Sequence, residues 1–92
     1  MRKHGKVDAI QKECVDEARK FGASVISLAS VGKGCPDLLI GWRGKNFLVE
    51  IKSHDKATLT QDQRIMHATY CGKIYVVYSA EELLETLLND GA

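Results

Sequence analysis

Three charged residues sit where an apolar ribbon gains nothing from charge. Asp37 follows Pro36 at the head of one apolar run, Leu38 to Trp42, and Glu50 and Lys52 close a second, Phe47 to Val49. The polar break Arg43-Gly44-Lys45-Asn46 separates the runs, so the stretch from Pro36 to Lys52 reads as a β-hairpin. Alternate residues of a strand share a face, which puts Glu50 and Lys52 on one side about 7 Å apart. Opposed residues in an antiparallel hairpin have a constant number sum. A turn centred on Arg43-Gly44 sets Asp37 opposite Glu50, and one centred on Gly44-Lys45 sets Asp37 opposite Lys52. Either register gathers all three charges on one face at the open end. A three-residue turn without a bulge would instead move Asp37 opposite Ile51.

Two carboxylates and an ammonium on such a ribbon are costly unless something compensates. A hard divalent cation is one answer: magnesium takes oxygen ligands, typically one or two carboxylates plus waters, and keeps positions open for phosphate. A lysine beside it can orient or deprotonate a water, or stabilise charge developing on a phosphate. The chemistry this equips is metal-assisted phosphodiester hydrolysis. Each residue also has a plainer reading. An acid after proline at a strand start is ordinary turn chemistry, and Lys52 could be one half of a weak ion pair. Glu50 is the sharpest signal, because Phe47 to Ile51 reads as a central strand rather than a solvated edge.

Pro36-Asp37, twelve intervening residues and Glu50-Ile51-Lys52 resemble the PD-(D/E)xK nuclease signature. More narrowly, Gly34-Cys35-Pro36-Asp37-Leu38-Leu39-Ile40, then Phe47-Leu48-Val49-Glu50-Ile51-Lys52-Ser53, then Leu59-Thr60-Gln61-Asp62-Gln63 resembles the VRR-NUC (virus-type replication-repair nuclease) family, over most of the chain up to Tyr78. The resemblance implies a Mg2+-dependent DNA endonuclease, with Mn2+ able to substitute and no other small-molecule cofactor. It implies Asp37, Glu50 and the Ile51 backbone carbonyl as metal ligands, and Asp37, Glu50, Lys52 and Gln63 as the catalytic set. Gln63 is equally the capping-box partner of Thr60. Family members often add a first-helix glutamate as a ligand. The expected position here falls near Gln11, with Glu13 and Asp8 as the neighbouring acids. Small stand-alone members suggest a Holliday-junction resolvase acting in DNA repair, in a bacterial or phage-infected cytoplasm. Symmetrical cleavage of a four-way junction calls for two sites related by a two-fold axis, which a homodimer supplies. A monomeric flap or nicking nuclease, and a non-catalytic DNA-binding module on the same fold, are the alternatives.

The 92 residues bound one domain, 1–92. A hydrophobic content of 45% describes a globular chain, and no apolar run approaches the roughly 20 residues that span a bilayer. The basic start, Met1 to Lys6, lacks the apolar segment of a secretory signal. Cys14, Cys35 and Cys71 are odd in number and widely spaced, which disfavours a zinc site and fits free thiols in a reducing cytoplasm. The net charge of +1 is low for a nucleic-acid binder, so distribution matters more than the sum. Lys33, Arg43, Lys45 and Lys56 fall in or beside the hairpin and are the candidate contacts to branched or double-stranded DNA.

The elements that must position these residues follow from periodicity. Val7 to Phe21 reads as a helix with Val7, Ile10, Cys14, Ala18 and Phe21 on one stripe, ended by Gly22. Ala23 to Val31 reads as a strand. Thr60 to Gly72 reads as a helix with Ile65, Met66, Thr69 and Tyr70 inward and Leu59 as a staple residue. Lys73 to Tyr78 reads as a strand, and Ser79-Ala80-Glu81-Glu82 opens a last helix with Leu83, Leu84, Leu87 and Leu88 inward. The first or the last helix is the candidate dimer interface. Both faces of the hairpin are apolar, so helices are expected on both sides of the sheet. The expected fold is α/β, a restriction-endonuclease-like α-β-β-β-α-β core with a mixed sheet and an added C-terminal helix.

Overall fold

A computed structural model of the chain describes residues 4–53 and 58–91, with side chains from Asp8 onward. The elements are α1 (His4–Lys20), β1 (Ser24–Ser27), β2 (Leu38–Trp42), β3 (Lys45–Ile51), α2 (Gln61–Thr69), β4 (Ile74–Val77) and α3 (Ala80–Asp90), in the expected order. The sheet runs β1-β2-β3-β4. The first three strands are antiparallel and β4 joins β3 in parallel, so α2 is the crossover that a parallel pair requires.

The hairpin turn decides the register. Trp42 pairs with Lys45 and Leu38 with Val49, which centres the turn on Arg43-Gly44. Both turn residues are left-handed, with φ of 52° and 78°, the geometry whose twist matches the flanking strands. Arg43 is an unusual occupant, and its guanidinium lies 4.4 Å from the centre of the Trp42 ring. The side chains of Leu38, Ile40, Trp42, Phe47, Val49 and Ile51 all face one layer, where they meet Cys14 and Ala18 of α1 and Leu83 and Leu87 of α3.

α1 ends in a double backbone closure. The Ala23 amide donates to Ala18 O at 3.0 Å and the Gly22 amide to Arg19 O at 3.0 Å, with Gly22 at φ 101°, a Schellman ending. β1 is shorter than the apolar pattern suggested. The Leu28 amide still donates to Asp37 O at 2.9 Å, but the Val31 amide then turns back to Leu28 O, and Val31 is left 60% exposed.

The two faces of the sheet are covered unequally. On the second face Ile26, Leu39, Leu48 and Ile74 align across the four strands, with Ile26 exposed and the others half-buried. α2 lies over that face yet buries no residue fully. Of its expected inward set only Met66 is half-buried, while Ile65, Thr69 and Tyr70 are exposed. The inward stripe is instead Gln63, Met66 and His67. It is largely polar, because it faces the charged end of the hairpin rather than the core. The stripes proposed for a dimer interface are also spent on the core: Leu83 and Leu87 of α3, like Cys14 and Ala18 of α1, have no exposed surface. Only Leu88 of the α3 set is exposed.

Candidate active site

Continuing the β2–β3 register by one residue sets Asp37 opposite Glu50, so the two acids share the second face. Asp37 is pinned from both sides. Its carbonyl accepts from Leu28 of the β1 side, and its Oδ2 accepts from the Ile51 amide at 2.7 Å. An extended residue turns its N–H and C=O to the same edge, so the Ile51 carbonyl faces the edge where Asp37 lies. The next amide, Lys52, turns the other way to Val77 O at 3.0 Å.

Glu50 is 2% exposed, the one charged residue among the buried described residues. Its Oε2 accepts from Gln63 Nε2 at 2.8 Å and lies 3.7 Å from Lys52 Nζ. Its Oε1 is buried with no hydrogen-bond partner among the described residues. Burial, with the Asp37 carboxylate added, pushes the Glu50 pKa up to about 7 against the pull of Lys52. Burial likewise raises the Asp37 pKa, opposed by the Ile51 amide and by Lys52.

Gln63 ties the acid to the base. Its Oε1 accepts from Lys52 Nζ and from the Thr60 amide, each at 2.9 Å. Its own backbone amide donates to Thr60 Oγ1 at 3.2 Å, completing the capping box that opens α2. The two roles weighed for Gln63, cap and site residue, are thus served by one side chain. The expected staple is different in kind: position N4 is Arg64, whose Nη1 donates to Leu59 O at 3.1 Å.

This donor set fits a hard divalent cation. A buried carboxylate oxygen lacks a partner among the described residues, a second carboxylate opposes it, and a backbone carbonyl faces the same edge. One or two carboxylates with waters are what magnesium takes. No third ligand of the expected kind joins them: no group of three His, Cys, Asp or Glu side chains that could hold a metal gathers among the described residues. Gln11 is half-buried beside Cys14, Glu13 and Asp8 are exposed, and none of the three is hydrogen-bonded to Asp37, Glu50 or Lys52.

The cations divide between two ends of the molecule. Lys33 is exposed in the loop leading to Pro36-Asp37. Arg43 and Lys45 lie at the turn end, roughly 17 Å from the acids at 3.4 Å per residue, where Lys45 Nζ donates to Asp90 O at 3.3 Å. The structure does not bring them to the acids. Lys56 falls outside the described residues. His67 follows Gln63 by one helical turn, and its Nε2 is buried without a partner among the described residues. Burial and the Lys52 charge hold its pKa down. Sequence reasoning missed it; its four-residue spacing from Gln63 is the signal by which it was to be found.

A solved structure described as a VRR_NUC domain superposes on the chain with a TM-score of 0.74, at 25% identity, over 91% of this chain and 96% of that one. The chain has the fold of a VRR_NUC domain. The family resemblance read from Pro36-Asp37 and Glu50-Ile51-Lys52 is borne out, and so is the restriction-endonuclease-like arrangement of a mixed four-stranded sheet with three helices. No family model and no curated protein matches the chain. Within the VRR_NUC fold, the opposed acids lie at the open end of the β2–β3 hairpin and Gln63 arrives from the crossover helix.

Proposed function

We propose that the chain is a metal-dependent, structure-specific DNA endonuclease of the PD-(D/E)xK type that hydrolyses phosphodiester bonds. The observation that carries this is the buried Glu50 oxygen, without a hydrogen-bond partner among the described residues and on the same face as Asp37, with Lys52 Nζ 3.7 Å from the other Glu50 oxygen. Asp37, Glu50 and the Ile51 carbonyl would hold the cation, Mg2+ by the hardness of these donors, with Mn2+ able to replace it. A divalent ion bound there supplies Lewis-acid polarisation of a phosphoryl oxygen and a more acidic water. Lys52 orients the attacking water and offsets charge developing on the phosphate. Gln63 fixes both Lys52 and Glu50, and so holds the nucleophile's environment in register with the acids. Lys33, exposed in the loop before Asp37, is proposed to meet a neighbouring phosphate. Arg43 and Lys45 would reach only a long substrate lying along the hairpin.

Within that class, the favoured substrate is a four-way DNA junction cut by a homodimer, since paired symmetric incisions need two-fold-related sites. The test is incubation with a four-way junction, a flap and plain duplex, each with and without magnesium or manganese. The parent should resolve the junction only with metal, and Lys52→Ala should lose roughly 10²-fold or more in rate while still binding DNA. Equal cleavage by Lys52→Ala and parent would defeat the catalytic assignment. A monomer by light scattering under cleavage conditions would replace junction resolution with flap or nicking activity. The lack of a first-helix acid joining Asp37 and Glu50 among the described residues favours the alternative, a non-catalytic DNA-binding module, which binding without metal-dependent cleavage would select.

A further inference from the structure

The loop that delivers Asp37 also touches the helix that delivers Gln63. Gly32, Lys33 and Gly34 are all left-handed, with φ of 76°, 56° and 80°, and the Cys35 amide closes onto Gly32 O at 3.1 Å. The two glycines differ in what surrounds them. A Cβ on Gly32 would meet nothing within 4 Å, whereas one on Gly34 would overlap the Asp62 carbonyl group and come 2.9 Å from Gln63 N. Backbone therefore lies directly on backbone at the first turn of α2. That turn has little else to seat it. No α2 residue is fully buried, and among the described residues the hydrogen bonds from the turn to the β3 strand and its end are those of Gln63 with Glu50 and Lys52.

We propose that Gly34 is a positioning residue for the cleavage reaction. Its missing side chain lets α2 approach the Asp37 loop closely enough for Gln63 to span Glu50 and Lys52. A methyl group at residue 34 would displace the first turn outward and pull the Gln63 fork from both partners, with Asp37, Glu50 and the core untouched. The proposal rests on the catalytic reading of Glu50 and Lys52 and deepens it, naming what sets the spacing of that site.

Gly32→Ala is the internal control, because it introduces a side chain in the same left-handed conformation without the overlap. Three quantities are read in parent, Gly32→Ala and Gly34→Ala: thermal melting, the NMR signals of the Gln63 side-chain amide, and kcat and KM for DNA cleavage. For Gly34→Ala, displacement of about 1 Å should cost on the order of 10²-fold in kcat with KM within about twofold. Its Gln63 amide signals should move to solvent-exposed positions, and those of Gly32→Ala should stay with the parent. In a Gln63→Ala background, Gly34→Ala should cost no further rate, because the effect runs through Gln63. Parent-like kcat and amide signals in Gly34→Ala would overturn the proposal, as would equal losses in both glycine variants. Unfolding of Gly34→Ala beside a normal Gly32→Ala would also overturn it, by making the contact part of the fold's stability. If the parent cleaves no DNA, the catalytic reading fails, while the amide signals still decide whether Gly34 seats Gln63.

Discussion

Replacing Glu50 by glutamine separates what the acid costs the fold from what it contributes to the site. The Glu50 pKa lies at about 7 against an ordinary 4.5, because the charged form is desolvated beside Asp37. A raised carboxyl pKa means that the folded chain keeps a proton the unfolded chain has released. Between about pH 4.5 and pH 7 the unfolded chain binds fewer protons, so stability falls as pH rises through that window. The difference of 7 less 4.5 is about 2.5 units, which at 1.36 kcal/mol per unit corresponds to about 3 kcal/mol by neutral pH. Glutamine stands in for the protonated acid, and its amide oxygen still accepts from Gln63 Nε2. In metal-free buffer near pH 8 the variant should therefore melt about 10 °C or more above the parent, at several degrees per kcal/mol for a chain of this size. Near pH 4, below both pKa values, the two should nearly coincide. Asp37 is also raised by burial, so the difference between the proteins is read, not either curve alone. Millimolar magnesium should then raise the melting temperature of the parent near pH 8 and leave the variant unmoved. A gap between the two proteins that does not widen from pH 4 to pH 8 would refute the reasoning, because Glu50 would carry no burial penalty.

Thr60→Ala removes the cap on the Gln63 amide and should weaken α2 by about 1 kcal/mol. Hydrogen exchange across Gln61–Thr69 should quicken, with the global melt nearly unchanged, since no α2 residue is fully buried. Leu87→Ala should cost 2–5 kcal/mol, because Leu87 is wholly enclosed. Ile65→Ser, at a residue 53% exposed, should stay within about 0.5 kcal/mol of the parent by chemical denaturation.

Much of this was legible in the chain because the acids report their own geometry. Asp37 and Glu50 occupy one face in either two-residue register, so their convergence did not depend on knowing the turn. What could not be read was which register holds, since Arg43 in a left-handed conformation is set by the twist of the strands and by the Trp42 ring rather than by its own preference. α2 misled for a different reason. Periodicity finds the apolar side of a helix, and here Ile65 and Tyr70 face outward while Gln63, Met66 and His67 face the sheet. A polar stripe turned toward a charged site looks like a solvated face. The shortness of β1 was hidden similarly, because Val31 is apolar but lies beyond a turn. The Gly34 contact is made with backbone of an element 28 residues later, and no local pattern in the sequence encodes it.

The division of the proposed catalytic set between a rigid sheet and a lightly seated crossover has a kinetic corollary. Asp37, Glu50 and Lys52 belong to the ribbon at the centre of the sheet, whereas Gln63 belongs to a helix none of whose own residues is fully enclosed. Local excursions of that kind take less free energy than unfolding the whole chain. In the proposed reaction a severed strand would therefore depart past a raised α2 while the carboxylates proposed to hold the ion stay in place, leaving the rate of turnover governed by how fast that helix settles back.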